Sequence, residues 1–349
     1  MRNRQQTTQP RVIGTGLIAL DLVVSADPNI PVQQWAGGTC GNVLTILSYL
    51  GWAAYPVARL NGDIASQSVR KDLRKWGVHL DYAKLSPTSN TPIITQEIRR
   101  TKAGNAEHTF SWRCPQCGAG LPRFKPVTVS AATQVATQLI HPNVFFFDRV
   151  SRGALMLARV CADNGGVVVF EPSGIGDPEL FKEAANLAHI FKYSDERIDK
   201  LVHTSKARRP GLIEIQTLGA RGLKYRVRLN NARTHGWRRA KPYAIDRVID
   251  AAGSGDWTTA GIIERLAKYG LEGLRQATLS DIECAISYGQ ALAAWNCGFE
   301  GARGGMYRVK KQTFRKQVES IIHGQKPTMI SRSKSQSCIS AAVFSCPSC

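Results

Sequence analysis

Asp250-Ala251-Ala252-Gly253-Ser254-Gly255-Asp256 runs directly into Trp-Thr-Thr-Ala-Gly-Ile-Ile-Glu-Arg-Leu-Ala-Lys-Tyr-Gly, residues 257–270. Two glycines therefore stand just before an apolar helix expected over 256–269. A helix start carries free backbone N–H groups and the positive end of the helix dipole, and glycine lets an anion approach both closely. Asp256 falls in the first turn, beside that anion pocket. A carboxylate there can take a proton from an attacking hydroxyl while the amides stabilise a transferred phosphoryl group. The plainer reading of the same residues is a tight turn with Asp256 as a helix cap.

Outward from this stretch the chain alternates strands and helices. Apolar runs at 12–24, 53–60, 144–147, 166–170, 189–193, 212–219 and 224–229 read as strands. Helical spacing appears at 42–51, 64–76, 152–164, 178–188, 195–203 and 281–296. Gly51 and Gly77 stand where the first two helices should stop. Such alternation predicts an α/β fold, with a mainly parallel sheet covered by helices on both faces. Residues 91–112 break the rule. They read as two strands around Lys102-Ala103-Gly104-Asn105 with no helix between, a small sheet projecting from the body.

Two further glycine-rich segments stand out. Gly37-Gly38-Thr39-Cys40-Gly41-Asn42 enters a helix, and is either a ligand contact or a turn with a cap. Thr217-Leu218-Gly219-Ala220-Arg221-Gly222 follows a strand, and is either a nucleotide contact or an ordinary turn.

Taken together, these motifs resemble the PfkB/ribokinase family of sugar and nucleoside kinases, from about Val12 to about Gly305. The resemblance implies a three-layer α/β/α sandwich with a small β-sheet lid. It implies Asp256 as catalytic base, with the amides of Ala252, Gly253, Ser254 and Gly255 as anion hole. Asp21, Gly37, Gly38 and Asn42 would bind substrate, and Thr217, Gly219 and Gly222 the nucleotide. ATP and Mg²⁺ are the implied cofactor set, a sugar, sugar phosphate or nucleoside the acceptor, and a homodimer through the lid the implied assembly. The family's Asn-x-x-Glu is altered, because Ser194-Asp195-Glu196-Arg197 has Ser for Asn and Arg for Glu, and Glu196 becomes the Mg²⁺ candidate. Glu171-Pro172-Ser173 likewise replaces the family's Asp-Pro-Asn.

Nine cysteines lack the density of a disulfide scaffold. Cys114-Pro-Gln-Cys117-Gly118 has the look of half a zinc site, and Cys346-Pro-Ser-Cys349 at the chain end supplies a second pair. The separation far exceeds the usual spacing, so the alternatives are a Cys₄ zinc site, a contribution from His108, or free thiols. Cys40, Cys161, Cys284 and Cys297 read as core fillers.

The chain has 349 residues, of which 43% are hydrophobic, enough for a sizeable core. The net charge of +20 favours anionic ligands and admits nucleic acid as a partner. No apolar run approaches a membrane span, and the polar residues 1–10 do not form a secretory signal. A cytoplasmic protein is expected. The chain thus divides into a disordered start (1–10), a kinase-like body (11–306, with the lid near 91–126) and a basic segment (307–349) ending in a flexible Ser/Cys-rich tail. The competing function class is a ligand-sensing or nucleic-acid-binding protein on the same fold, with a basic tail and a zinc module.

Overall fold

The computed structural model describes residues 9–25, 27–100, 106–139, 141–198, 211–228, 236–327, 345–346 and 348–349. The expected turn at 102–105, most of the expected helix 195–203, the first eight residues and the stretch 328–344 lie outside the described residues.

Among the described residues, the main sheet has nine strands. Its parallel part comprises β1 (Arg11–Thr15), β4 (Ala53–Leu60), β5 (Ala83–Leu85), β8 (Val144–Phe147), β9 (Val167–Phe170), β10 (Ile190–Ser194) and β11 (Leu212–Thr217). At one edge β12 (Leu223–Arg228) runs antiparallel to β11, and β13 (Arg238–Ala240) antiparallel to β12. The order is β13-β12-β11-β10-β9-β8-β1-β4-β5.

Central strands are apolar on both faces because both faces are covered. In β8, Val144 and Phe146 join one buried cluster, while Phe145 and Phe147 join the other. In β9, Val167 and Val169 part from Val168 and Phe170 in the same way. One face packs against α1 (Thr39–Leu50), α2 (Ile64–Lys75), α6 (Ser254–Leu266), α8 (Leu279–Cys297) and α10 (Lys311–Ile322). The other packs against α3 (Val129–Ala136), α4 (Arg152–Asp163) and α5 (Pro178–Leu187). The short helices α7 (Gly270–Gln276) and α9 (Gly304–Arg308) complete the set. Gly261 lets α6 and α8 touch: a Cβ there would lie 2.6 Å from the Gly289 Cα.

The small sheet holds more than the two strands expected. Its order is β3-β2-β6-β7, from β3 (Gln33–Gly37), β2 (Ala19–Val24), β6 (Ile93–Arg100) and β7 (Ala106–Ser111). Residues 12–24 are thus not one strand with a turn. The chain leaves the main sheet after β1 at Gly16, whose φ is +147°, and enters the small sheet as β2. Apolarity alone does not separate strands of two sheets.

The basic segment also differs from its reading. Residues 311–322 form α10, with Phe314, Val318 and Ile321 buried at helical spacing. The Phe314 ring lies 4.7 Å from Trp295 and 5.2 Å from Tyr49, centroid to centroid. The folded body therefore continues through this helix, and its lysines and arginines form only the solvent face. Phe314→Ala is expected to lower stability by about 3–5 kcal/mol, the usual cost of a buried Phe truncation. Denaturant unfolding checks it, and a change under 1 kcal/mol would mean that α10 is not docked.

Candidate active site

The loop before α6 is built by one carboxylate. Asp250 accepts the amides of Ala252 at 2.7 Å and Gly301 at 2.8 Å. Its third partner is His108 Nε2 of β7, at 3.0 Å, so the small sheet touches this loop directly. Burial raises the Asp250 pKa, but the hydrogen bonds from Ala252 and Gly301 and the nearby His108 ring outweigh it and hold the carboxyl below the ordinary range. Gly253 then caps α6 in the left-handed region, at φ +72°. A Cβ on it would lie 2.3 Å from the Ala302 carbonyl oxygen. The first helical rung is Trp257 N to Gly253 O, at 2.9 Å. Of the four amides expected to form an anion hole, two are already engaged. Ala252 donates to Asp250, and Ser254 N donates to Ala251 O at 3.2 Å. Among the described residues, those of Gly253 and Gly255 have no hydrogen-bond partner.

Asp256 lies in the first turn of α6, 9% exposed. Asn42 Nδ2 donates to its Oδ2 at 2.8 Å. Burial, with the neighbouring Glu171 charge, pushes the Asp256 pKa up to about 8 against the opposing pull of Asn42, Lys192 and Arg197. Lys192, at the middle of β10, pairs with Glu171 just beyond β9, and Thr259 of α6 donates to the same Glu171 carboxylate. A Cβ at Gly255 would stand 3.5 Å from Lys192 Nζ and 3.6 Å from Glu171 Oε1, so this ion pair lines the glycine turn.

The second expected group gathers on the other side of Asn42. Arg303 Nε donates to Asn42 Oδ1 at 3.0 Å, and Arg303 Nη2 to Asp72 at 2.9 Å and to the Ala36 carbonyl. Tyr307 donates to the same Asp72 at 2.7 Å. Among the described residues, Arg303 Nη1 has no hydrogen-bond partner although it is buried. Asp21 of β2 is the further carboxylate in this field. Burial raises its pKa to about 7 against the pull of Arg303 and a hydrogen bond from the Gly38 amide. Gly37 has no side chain because Asp21 occupies its place, a Cβ there lying 1.9 Å from Asp21 Oδ2. Gly38 has φ +80° and packs on the Leu17 carbonyl. The Gly-Gly pair thus shapes the seat of Asp21 and the entry to α1.

The third group closes the end of β11. Thr217 is its last residue, Gly219–Arg221 forms a 3-10 turn, and Gly222 has φ +84°. A Cβ on Gly222 would lie 2.4 Å from the Ala240 carbonyl, so this glycine lets β13 approach. Beside it lies a cavity of about 310 Å³, lined by Tyr225, Arg239, Lys241, Tyr243, Ser287 and Gln290 among others. Glu196 is exposed after β10, its Oε1 4.0 Å from a Cβ position on Gly219.

Sequence reasoning missed Arg303, Lys192, Asp148 and the role of His108. Asp148 directly follows β8, accepts Leu17 N at 2.9 Å and pairs with Arg149. Burial raises its pKa to about 6. The available signal was a carboxylate at the C-terminal end of a buried strand, where α/β sheets place ligands. Nothing in the sequence marks Arg303. His108 turns to Asp250 rather than to the cysteines, so it is not a metal ligand with them. Cys114 and Cys117 sit on the loop after β7, beside Cys346 and Cys349. Cys284 is exposed on α8 and Cys297 half-buried, so neither fills the core as Cys40 and Cys161 do.

A profile of the pfkB family carbohydrate kinases matches residues 12–307. The chain belongs to this family. Among solved structures it is similar to the ribokinase of Giardia lamblia, at 17% identity and TM-score 0.67, over 90% of this chain and 99% of that one. It is also similar to aminoimidazole riboside kinase from Salmonella enterica, solved with aminoimidazole riboside and an ATP analog, at 20% identity and TM-score 0.64, over 88% and 99%. A third is an ATP-bound fructokinase from Xylella fastidiosa, at 16% identity and TM-score 0.67, over 90% and 99%. No curated protein matches the chain by sequence. The fold is ribokinase-like, with a three-layer body and a separate small sheet.

The two glycines at the α6 turn should respond differently to substitution. Gly253→Ala forces a left-handed alanine, costing roughly 1–2 kcal/mol, and a backbone clash on top. Gly255→Ala meets only ordinary contacts and should fold like the native chain. Thermal unfolding of the two variants checks this, and equal Tm values would refute the packing argument.

Proposed function

We propose that the protein is an ATP-dependent phosphotransferase that moves the γ-phosphate to a hydroxyl of a sugar, sugar phosphate or nucleoside, with Asp256 as base. The observation that carries the reading is the buried Asp256 held by Asn42 at the open N-terminus of α6. Asn42 fixes which carboxylate oxygen is tied, leaving the other for the acceptor hydroxyl. A base with a pKa near 8 takes up a proton far more readily than a surface aspartate. The Gly253 and Gly255 amides and Lys192 then hold charge on the transferred group. Asp21 and the unpartnered Arg303 Nη1 supply an acceptor and a donor for substrate hydroxyls. The cavity beside Gly222, walled by Tyr225 and Tyr243, suits a nucleotide base. His108 ties the small sheet to the anion loop, consistent with a lid that excludes water from the transfer.

The donor set fits a Mg²⁺ that arrives on nucleotide phosphates rather than one in a protein cage. Glu171, bonded by Lys192 and Thr259, lines the glycine turn, and the exposed Glu196 stands beside Gly219; Mg²⁺ needs only one or two carboxylate ligands besides phosphates and waters. When bound it neutralises charge on the phosphate oxygens.

ATP turnover over a panel of hexoses, ribosides and sugar phosphates tests the reading. Turnover of none, beside salt-dependent nucleic-acid binding, would favour a binding protein. Asp256→Asn should lower kcat by about 10²–10⁴ while nucleotide binding persists. Activity within a few-fold of the native chain would leave Asp256 as a cap.

The pH dependence has two signs. For the native chain, kcat/KM should rise with pH up to about 8, as Asp256 loses its proton. Stability should move oppositely. Between an unfolded value of about 4 and a folded value of about 8, only the folded protein keeps the proton, so stability falls as pH rises through this window. The Tm advantage of Asp256→Asn over the native chain should therefore grow from pH 5 to pH 8. A constant difference in Tm would show that burial of Asp256 does not raise its pKa.

A further inference from the structure

Two Cys-x-x-Cys turns distant in sequence, Cys114/Cys117 after β7 and Cys346/Cys349 at the chain end, meet beside the small sheet. The first follows β7. Cys114 N donates to Ala119 O at 2.8 Å and Gly118 N to Cys114 O at 3.0 Å, with Gly118 at φ +72°. A bridge between Arg113 and Gly120 closes this hairpin. The hairpin is fixed to the sheet, because Thr95 Oγ1 donates to the Arg113 carbonyl at 2.6 Å and Ile93 N to Pro122 O at 3.0 Å. The second turn is the chain end. Cys349 N donates to Cys346 O at 3.1 Å, and Ser348 N points at Cys346 Sγ at 3.4 Å.

The four sulfurs lie within 4.8 Å of one another. Cys114 Sγ is 3.8 Å from Cys349 Sγ, and Cys117 Sγ is 3.8 Å from Cys346 Sγ. A disulfide brings sulfurs to about 2.05 Å, so neither pair is bonded. A tetrahedron with metal–sulfur bonds of about 2.3 Å has edges of about 3.8 Å, which is the spacing found across the two turns. Cys114 is 5% and Cys346 9% exposed, and both join the main apolar cluster. As neutral thiols the four are in ordinary contact, but as the thiolates a metal needs they would repel one another without a cation between them. Tetrahedral S₄ selects zinc or iron, and zinc needs no redox partner.

We propose that Cys114, Cys117, Cys346 and Cys349 bind one structural Zn²⁺ as a tetrathiolate, pinning the end of the chain beside the small sheet. Binding converts four thiols to thiolates and releases four protons, with no change of oxidation state. All four positions are filled by protein, so the ion has no open site for catalysis. The proposal does not depend on the kinase reading, and metal content is measured without substrate.

Metal analysis of the full chain purified without chelator should give about one zinc per chain. Cys346→Ser and Cys349→Ser should each remove it as completely as Cys114→Ser. Because a variant can lose metal by misfolding, a second measurement uses the native chain. Replacing zinc with Co²⁺ should produce the intense visible bands and sulfur-to-metal charge-transfer absorption of a tetrahedral thiolate site. Chelation should lower Tm, and added Zn²⁺ should restore it. Iron in place of zinc, zinc that survives Cys346→Ser with Cys349→Ser, or a metal-free chain whose intact mass is 4 Da low from two disulfides would each overturn the proposal.

Discussion

The hydrogen bond from Asn42 to Asp256 joins the two halves of the site. It spans elements 214 residues apart in the chain, at 2.8 Å. A carboxylate buried as Asp256 is costs free energy unless its lone pairs are met. Asn42 meets one oxygen and is itself held by Arg303, which is anchored on Asp72 and the Ala36 carbonyl. Tyr307 completes the chain of contacts at Asp72. Removal of any member would leave a buried polar group alone, so α1, α2, α6 and α9 are set relative to one another by polar geometry, where apolar packing would tolerate sliding.

This arrangement opposes stability. Asp21, Asp148 and Asp256 are all pushed upward in pKa, by burial first. Such groups do not hold a fold together at neutral pH; the apolar faces on both sides of the main sheet do. Asp256 at the start of α6, Asp148 just beyond β8 and Asp21 within β2 are perturbed together. The chain's net charge of +20 favours anionic ligands in general. Lys192 and Arg303 bring that charge inside, each tied to a carboxylate so that its position is fixed.

The small sheet is connected to the body at more than its covalent links. His108 reaches Asp250, which organises the glycine turn before α6. The Cys114 hairpin anchors the other end of the same sheet near the chain terminus. A displacement of β6 and β7 must therefore be felt at the Asp250 loop, where the amides of Gly253 and Gly255 lie.

Local sequence determined most elements. Alternation and apolar runs marked β4, β8, β9, β10 and β11, because a strand buried on both faces needs continuous apolar residues. Glycine before an apolar run marked the start of α6, and Gly51 the end of α1, where its φ is +114°. The resemblance to the kinase family brought Asp21, Asn42 and Asp256 into one expectation. Tertiary structure alone decided the rest. That β1 and β2 belong to different sheets depends on their partners, Ala53–Val57 and Ile93–Glu97, which local apolarity does not name. α10 was hidden by its charged face, since three apolar residues at helical spacing matter only once α8 is there to cover them. Arg303 carries no local pattern, and its role comes from groups brought together from distant positions; Asp148 was marked only by its place after a buried strand. The meeting of Cys114 and Cys117 with Cys346 and Cys349 was decided in the same way: sequence separation limits a contact only through loop entropy, which grows slowly with length.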